Sequence, residues 1–295
     1  MISTIAGKKV GLIGLGCATF GREIDEAASF VLMDDAVARG VTLFDTAAAY
    51  SAGGSERIVG RWFADRRPAG VVLATKLIPP YEPAKILAKV DECLGRLGVP
   101  AIDLLYLHHW NASVETPELL RALDEVVRSG KARALGASNF NAAQLSAALD
   151  RQAQLGLARF EVIQQNHNFA VSELDAPLLE LCAARGIAMV TYSPLGAGFL
   201  TGKHRGGVEA GSRFAIVPGH QDIYFNDRAW GRLARLEAVA AKLGCTPAHL
   251  ALAWALHRRP VTTVLIGGRA VRHLEQGFAA LGLNDPAVFA EMEAD

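Results

Sequence analysis

Short runs rich in β-branched residues alternate along the chain with stretches whose apolar positions recur every three to four residues. The runs 10–15, 42–46, 71–76, 102–108, 132–138, 161–165, 188–193 and 262–267 predict about eight strands. Between them lie helix signals with legible ends. The clearest covers 116–129: Thr116 caps, Pro117 suits the first helical position, Glu118 complements the dipole and Gly130 closes the end. Its Leu119, Leu120, Leu123, Val126 and Val127 share one face. Thr246-Pro247 repeats this start signal before 248–257, and Asn141 opens another helix.

Strand, helix, strand repeated this often calls for parallel strands, because each crossover returns the chain to the same edge. An open doubly wound sheet and a closed barrel compete. The strand count, the even spacing and the lack of a linker rich in Pro, Gly or Ser favour an α/β fold of the (β/α)8 TIM-barrel type. A barrel takes about 250 residues, so the 295 residues are expected to form one domain, 1–295. The polar, glycine-containing segment 203–228 reads as a functional loop or an excursion over the barrel mouth.

Composition narrows the partners. Hydrophobic residues make up 51% and charged ones 20%, enough for a packed core. Thirty Lys plus Arg balance thirty Asp plus Glu, leaving no basic field for nucleic acid or an anionic membrane. Cys17, Cys93, Cys182 and Cys245 form no CxxC pair, so neither a metal site nor a disulfide framework is expected and a reducing, cytoplasmic setting fits. Lys8 and Lys9 follow a very short apolar stretch, the reverse of a signal peptide. The longest uncharged run, 186–202, is broken by Pro194 and glycines and does not read as a membrane span.

In a barrel of this type chemistry gathers where strands end. Asp45 and Tyr50 follow the second run, Lys76 ends the third, His108 the fourth, Ser138 and Asn139 the fifth, Gln164 the sixth, and Tyr192 with Ser193 the seventh. The steps from Asp45 to Lys76, to His108 and to Ser138 are 31, 32 and 30 residues, so one polar group per repeat converges on one pocket. Lys76 ends the buried-strand sequence 71–75, where an ammonium needs a partner, and Asp45 can be that partner. The plainest reading is a structural ion pair, costing about 3–5 kcal/mol to break from one side.

The segments carrying these groups resemble the aldo-keto reductase family. Residues 44–50 read FDTAAAY, similar to its FDTAxxY signature, with Ser55-Glu56 beyond; Ala74-Thr75-Lys76 resembles its lysine strand. His108 lies at the family interval of five from Asp103. Residues 136–140 (GASNF) resemble GVSNF, and 192–203 resemble YSPLGxGxLTGK. The matches run in order from about Gly14 to Gln276.

The resemblance implies a catalytic tetrad of Asp45, Tyr50, Lys76 and His108. Tyr50 would exchange the proton, Lys76 would favour its phenolate, Asp45 would balance Lys76, and His108 would orient a substrate carbonyl. It implies that Gly16, Cys17, Ser138, Asn139, Gln164, Tyr192, Ser193, Leu195, Gly196, Gly198 and Arg269 bind the cofactor. Phe20, Tyr81, Trp110, Phe169 and Tyr224 would line the substrate pocket. Adjacent residues on a strand face opposite ways, so only one of His108 and His109 should enter the mouth, leaving His109 on the rim. Arg269, with no acid in its place, favours NADP(H), with NAD(H) the alternative because Ala270, His273 and Gly277 replace the family's polar residues. The GxG at Gly14-Leu15-Gly16 does not continue as a Rossmann fingerprint, since Thr19 stands at the third position.

The implied activity is interconversion of a carbonyl and an alcohol on a small molecule. Two alternatives remain: a Schiff-base lysine enzyme using Lys76, and a nucleotide-sensing regulatory subunit with little turnover. Substrate and oligomeric state are not written in the sequence. The residues after Gly282 are too few for a long carboxyl-terminal substrate loop, which implies an open pocket.

Overall fold

The computed structural model describes residues 4–258 and 260–294. Eight parallel strands close into a barrel: β1 (Ile13–Gly16), β2 (Leu43–Asp45), β3 (Val72–Leu77), β4 (Ile102–Leu107), β5 (Ala132–Ser138), β6 (Phe160–Asn166), β7 (Ala188–Tyr192) and β8 (Thr263–Gly267). Strand β8 closes the ring by pairing with both β7, Thr263 opposite Val190, and β1, Gly267 opposite Gly16. The expected TIM barrel is the observed one.

Strand alternation separates two cores. Leu43, Val72, Ala74, Leu104, Tyr106, Ala134, Val162, Ala188, Val190 and Leu265 fill the barrel interior. Their neighbours, including Phe44, Leu73, Leu105 and Leu107, face the surrounding helices. Tyr106 needs a gap in the next strand: a Cβ on Gly136 would lie 2.4 Å from its ring. A two-stranded hairpin, Thr4–Ile5 against Lys8–Lys9, covers the amino-terminal end of the barrel. It adds Ile5 and Val10 to the interior cluster, and Lys8 Nζ reaches Asp103 Oδ2 at 2.8 Å and the Val71 carbonyl at 2.9 Å.

The helices begin as their sequences require. Thr116 Oγ1 accepts from Leu119 N ahead of the helix Pro117–Arg128. Asn141 and Gln144 form a reciprocal capping box on Ala142–Leu155. Thr246 caps Pro247–His257. No single helix among the described residues is long and apolar enough to cross a membrane.

Two segments are more ordered than their sequences suggest. The 203–228 excursion is folded: it holds the single-turn helices Arg213–Ile216 and His220–Tyr224, and Arg228 already belongs to the helix Asp227–Leu243. It is held by Phe214 and Tyr224, which are buried against Phe225 and Phe199, and by an Arg213–Glu23 ion pair at 2.7 Å. The residues after Gly282 also form a helix, Pro286–Glu293, capped by Asp285 and seated on buried Phe289 and Met292.

Candidate active site

Asp45, at the end of β2, and Lys76, on β3, are buried side by side at the carboxyl-terminal ends of adjacent strands. Lys76 Nζ is paired with Asp45 Oδ1, and it reaches the Thr46 carbonyl at 2.9 Å and Tyr50 Oη at 3.4 Å. Three hydrogens thus meet three acceptors. Burial works against the ammonium, but Asp45 and then Tyr50 outweigh it and hold the Lys76 pKa above its ordinary value. The ammonium also lies 5.0 Å from the Tyr50 ring centroid and 5.7 Å from that of Tyr106. The second Asp45 oxygen accepts from Gln164 Nε2 at 2.8 Å.

Tyr50 stands at a strained turn. Ser51 and Ala52 both adopt the left-handed conformation, with φ of 52° and 49°. Each costs about 1–2 kcal/mol in a non-glycine residue. Ser51 Oγ donates to the Gly21 carbonyl at 2.6 Å, and Arg57 Nη2 donates to the Ala52 carbonyl at 3.1 Å, bonds that hold the turn. Burial raises the Tyr50 pKa, Lys76 opposes it, and the net direction is upward from 10.0.

His108 follows β4 directly and donates its backbone N–H to the Leu77 carbonyl at 2.9 Å. Its ring meets that of Tyr50 edge-on, centroids 5.8 Å apart. Burial, then the charge of Lys76 and then His109, lower its pKa to about 2, so the ring is neutral. Its Nδ1 is buried without a hydrogen-bond partner among the described residues. His109 does not turn away as strand alternation predicts. Because β4 ends at Leu107, both histidines lie beyond the pleat, and their rings stack 4.7 Å apart at 3°. His109 is on the rim, as expected, but in contact with His108.

Next around the mouth come Ser138, Asn139, Tyr192 and Ser193. Asn139 has φ of 60°, and its Oδ1 accepts from Tyr192 Oη at 2.7 Å. Its Nδ2 lies 2.8 Å from the His108 carbonyl and 3.2 Å from Ser138 Oγ. Ser193, Gly196, Ala197 and Gly198 also have positive φ. A Cβ on Gly196 would come 2.9 Å from the Tyr224 ring, so this turn presents bare backbone. Arg269 is exposed beyond β8; its Nη1 donates to the Gly211 carbonyl at 2.9 Å and its backbone N–H to His273 Nδ1 at 3.1 Å.

The structure corrects the expected pocket aromatics. Phe20, Tyr81 and Phe169 are 0%, 2% and 1% exposed and present no wall to a ligand. Phe20 joins the outer core, Tyr81 bonds the backbone of His109, and Phe169 packs edge-on against Trp254. Tyr224 is likewise buried, its hydroxyl held by Asn166 and Asn168. Trp110 alone of the five retains partial exposure. Cys17 is also corrected: its fully buried side chain is closed to a cofactor, leaving only the backbone of that turn. Asn166 and the Arg213–Glu23 pair also lie at this end of the barrel and were not expected there. Neither carries a local signal, because each depends on where the 203–228 segment packs.

The model of the aldo/keto reductase family matches residues 12–294. The chain belongs to this family. Among the relatives of this aldo/keto reductase is the oxidoreductase YrpG of Bacillus subtilis, 31% identical over 94% of this chain and 89% of that one. A norsolorinic acid reductase of Aspergillus flavus is 30% identical over 96% of this chain and 76% of its own. A probable voltage-gated potassium channel subunit beta of Arabidopsis thaliana is 29% identical over 94% and 89%. Membership makes this aldo/keto reductase an oxidoreductase of small molecules in a family that generally uses NAD(P)H.

Proposed function

We propose that the protein is an NADPH-dependent carbonyl reductase acting on an aldehyde, ketone or sugar, with residues 1–295 as one catalytic domain. The observation that carries the proposal is the meeting of a phenol, a fully coordinated ammonium and a neutral imidazole at the ends of adjacent strands.

The residues around the mouth fit a nicotinamide dinucleotide. Half-buried Asn139 offers a polar group to the carboxamide, with buried Ser138 and Gln164 behind it, and Tyr192 offers an aromatic face to the ring. The backbone around Gly16 and Cys17, together with Ser193, Leu195, Gly196 and Gly198, suits a pyrophosphate. Arg269 and Arg272, with Lys203 paired to Glu209 at 2.9 Å, lie close enough to act on His273 and leave a local excess of positive charge suited to a 2′-phosphate. When bound, the reduced nicotinamide supplies a hydride to the carbonyl carbon.

The chain's own residues supply the rest. Tyr50 gives its phenolic proton to the carbonyl oxygen, yielding the alcohol. Its raised pKa keeps that proton in place at neutrality, and Lys76 stabilises the phenolate only as it forms. Neutral His108, with Nδ1 buried, carries its hydrogen on Nε2 and donates it to the same oxygen. Solvent then restores the Tyr50 proton. The four free cysteines support a reducing, cytoplasmic setting.

The geometry disfavours a Schiff-base lysine, since Lys76 is held as an ammonium and lacks a free lone pair. The channel-subunit relative supports the second reading, a nucleotide sensor with little turnover. Fluorescence titration with NADPH and NADH, followed by assays on aldehydes, ketones and sugars, separates the readings. Tight binding without turnover selects the sensor, and failure to bind either nucleotide below millimolar concentration overturns both.

A further inference from the structure

The carbonyl of His108 can only accept, so the Asn139 atom 2.8 Å from it must be the amide nitrogen. Tyr192 Oη, 2.7 Å from the other side of the amide, agrees with that orientation. The same Nδ2 lies 3.3 Å from His109 Nδ1. One of its hydrogens goes to the His108 carbonyl, and the second lies between His109 Nδ1 and Ser138 Oγ. His109 Nδ1 can accept from that amide only as a neutral ring with its hydrogen on Nε2.

We propose that His109 is a positioning residue. In its neutral form its Nδ1 accepts from the Asn139 amide and helps fix that amide at the proposed nicotinamide carboxamide site, and protonation of Nδ1 removes this acceptor and weakens cofactor binding. Protonation would set an N–H against an N–H and break the bond, while the bond to the His108 carbonyl remains. The inference rests on the proposed dinucleotide site and adds to it a proton-dependent control of cofactor affinity.

The surroundings leave His109 able to respond. Its own neighbours are His108, stacked on it, and Tyr81, whose hydroxyl accepts from His109 N at 3.1 Å and donates to its carbonyl at 2.9 Å. Lys76 acts on His108, and the Tyr50 ring meets His108 edge-on. His109 is exposed, so a solvent proton reaches it directly. Partial burial moves its pKa downward, which keeps the neutral form dominant near neutrality.

The test compares wild type, His109→Gln and His109→Phe by fluorescence titration with NADPH at pH 7.5 and pH 5.5. Gln can accept from Asn139 without titrating; Phe keeps the stack and loses the acceptor. Wild type should lose more affinity than His109→Gln on acidification, by up to about fivefold, the worth of one hydrogen bond. His109→Phe should bind more weakly at both values, with no added loss at the lower one. Titration of the cofactor's phosphate is common to all three and cancels in the comparison. Nitrogen NMR of wild type should show Nδ1 unprotonated at pH 7.5. A protonated Nδ1 there, or equal acid responses in the three proteins, overturns the inference. Wild type that binds neither dinucleotide overturns the function beneath it, a different outcome from binding with a pH response independent of His109.

Discussion

Replacing Lys76 with Met separates the folding role of the buried ion pair from its chemical one. In wild type the ammonium is fully buried and meets Asp45 Oδ1, the Thr46 carbonyl and Tyr50 Oη. Met fills most of the same volume but leaves the Asp45 carboxylate buried with only Gln164 as a partner. An uncompensated buried charge of this kind costs about 3–5 kcal/mol. At about 2 °C per kcal/mol for a chain of this size, the melting temperature should fall by about 6–10 °C. The double variant Asp45→Asn/Lys76→Met removes both charges and should regain most of that loss, since a neutral pair of similar volume is often no less stable than the ions. On the proposed mechanism it should nevertheless stay inactive, because nothing then stabilises the Tyr50 phenolate. Thermal melts and a reductase assay on the two variants suffice. A Lys76→Met protein that melts with wild type, or a double variant that turns over at a wild-type rate, refutes the reasoning.

Tyr50→Phe should lower carbonyl reduction by at least about 100-fold while leaving NADPH affinity within about twofold, measured by steady-state kinetics and fluorescence titration. If Arg269 holds the 2′-phosphate as proposed, Arg269→Ala should weaken NADPH binding by about tenfold or more and NADH binding little, the worth of a charged hydrogen bond; equal losses for both would remove Arg269 from that role. His108 is neutral when folded, with a pKa of about 2, but protonates near 6.5 when unfolded. Below pH 6.5 the unfolded chain therefore binds more protons, and stability should fall by up to about 1.4 kcal/mol per pH unit from this residue. Urea midpoints at pH 7.5 and 5.5 should converge in His108→Asn relative to wild type. Gly60→Ala places a Cβ 2.4 Å from the Leu97 carbonyl oxygen, between the helices Gly54–Arg66 and Ile86–Leu97, and should cost about 1–3 kcal/mol without touching the mouth.

The barrel was legible because its two signals are local. A buried parallel strand needs a run of apolar residues, and its carboxyl-terminal end carries the polar group, so Asp45, Lys76 and His108 announce themselves at intervals near 30 residues. The pocket was much less legible. Phe20, Tyr81 and Phe169 looked like walls, but an aromatic ring serves a core equally well, and only the packing of distant segments decides which. The 203–228 segment reads as a polar loop because its anchors, Phe214, Tyr224 and Phe225, are scattered single residues that cluster only once the segment folds on itself and on Phe199. The pair His108-His109 misled for a geometric reason: alternation holds within a strand, and β4 stops one residue earlier. The final helix carried a legible start in Asp285-Pro286, a capping residue before a first-turn proline, which the sequence reading passed over.

The filled barrel interior bears on proton traffic. Beneath Lys76 the lumen is packed with Tyr106, Leu104, Val72 and their neighbours, and the amino-terminal hairpin covers the far end with Ile5 and Val10. Those side chains offer no chain of polar groups along which a proton could travel from below. On the proposed mechanism each turnover leaves a phenolate at Tyr50, and its replacement proton must enter through the mouth. The alcohol leaves by the same opening. Recharging the acid and clearing the product thus share one doorway, and a slowly departing product delays both.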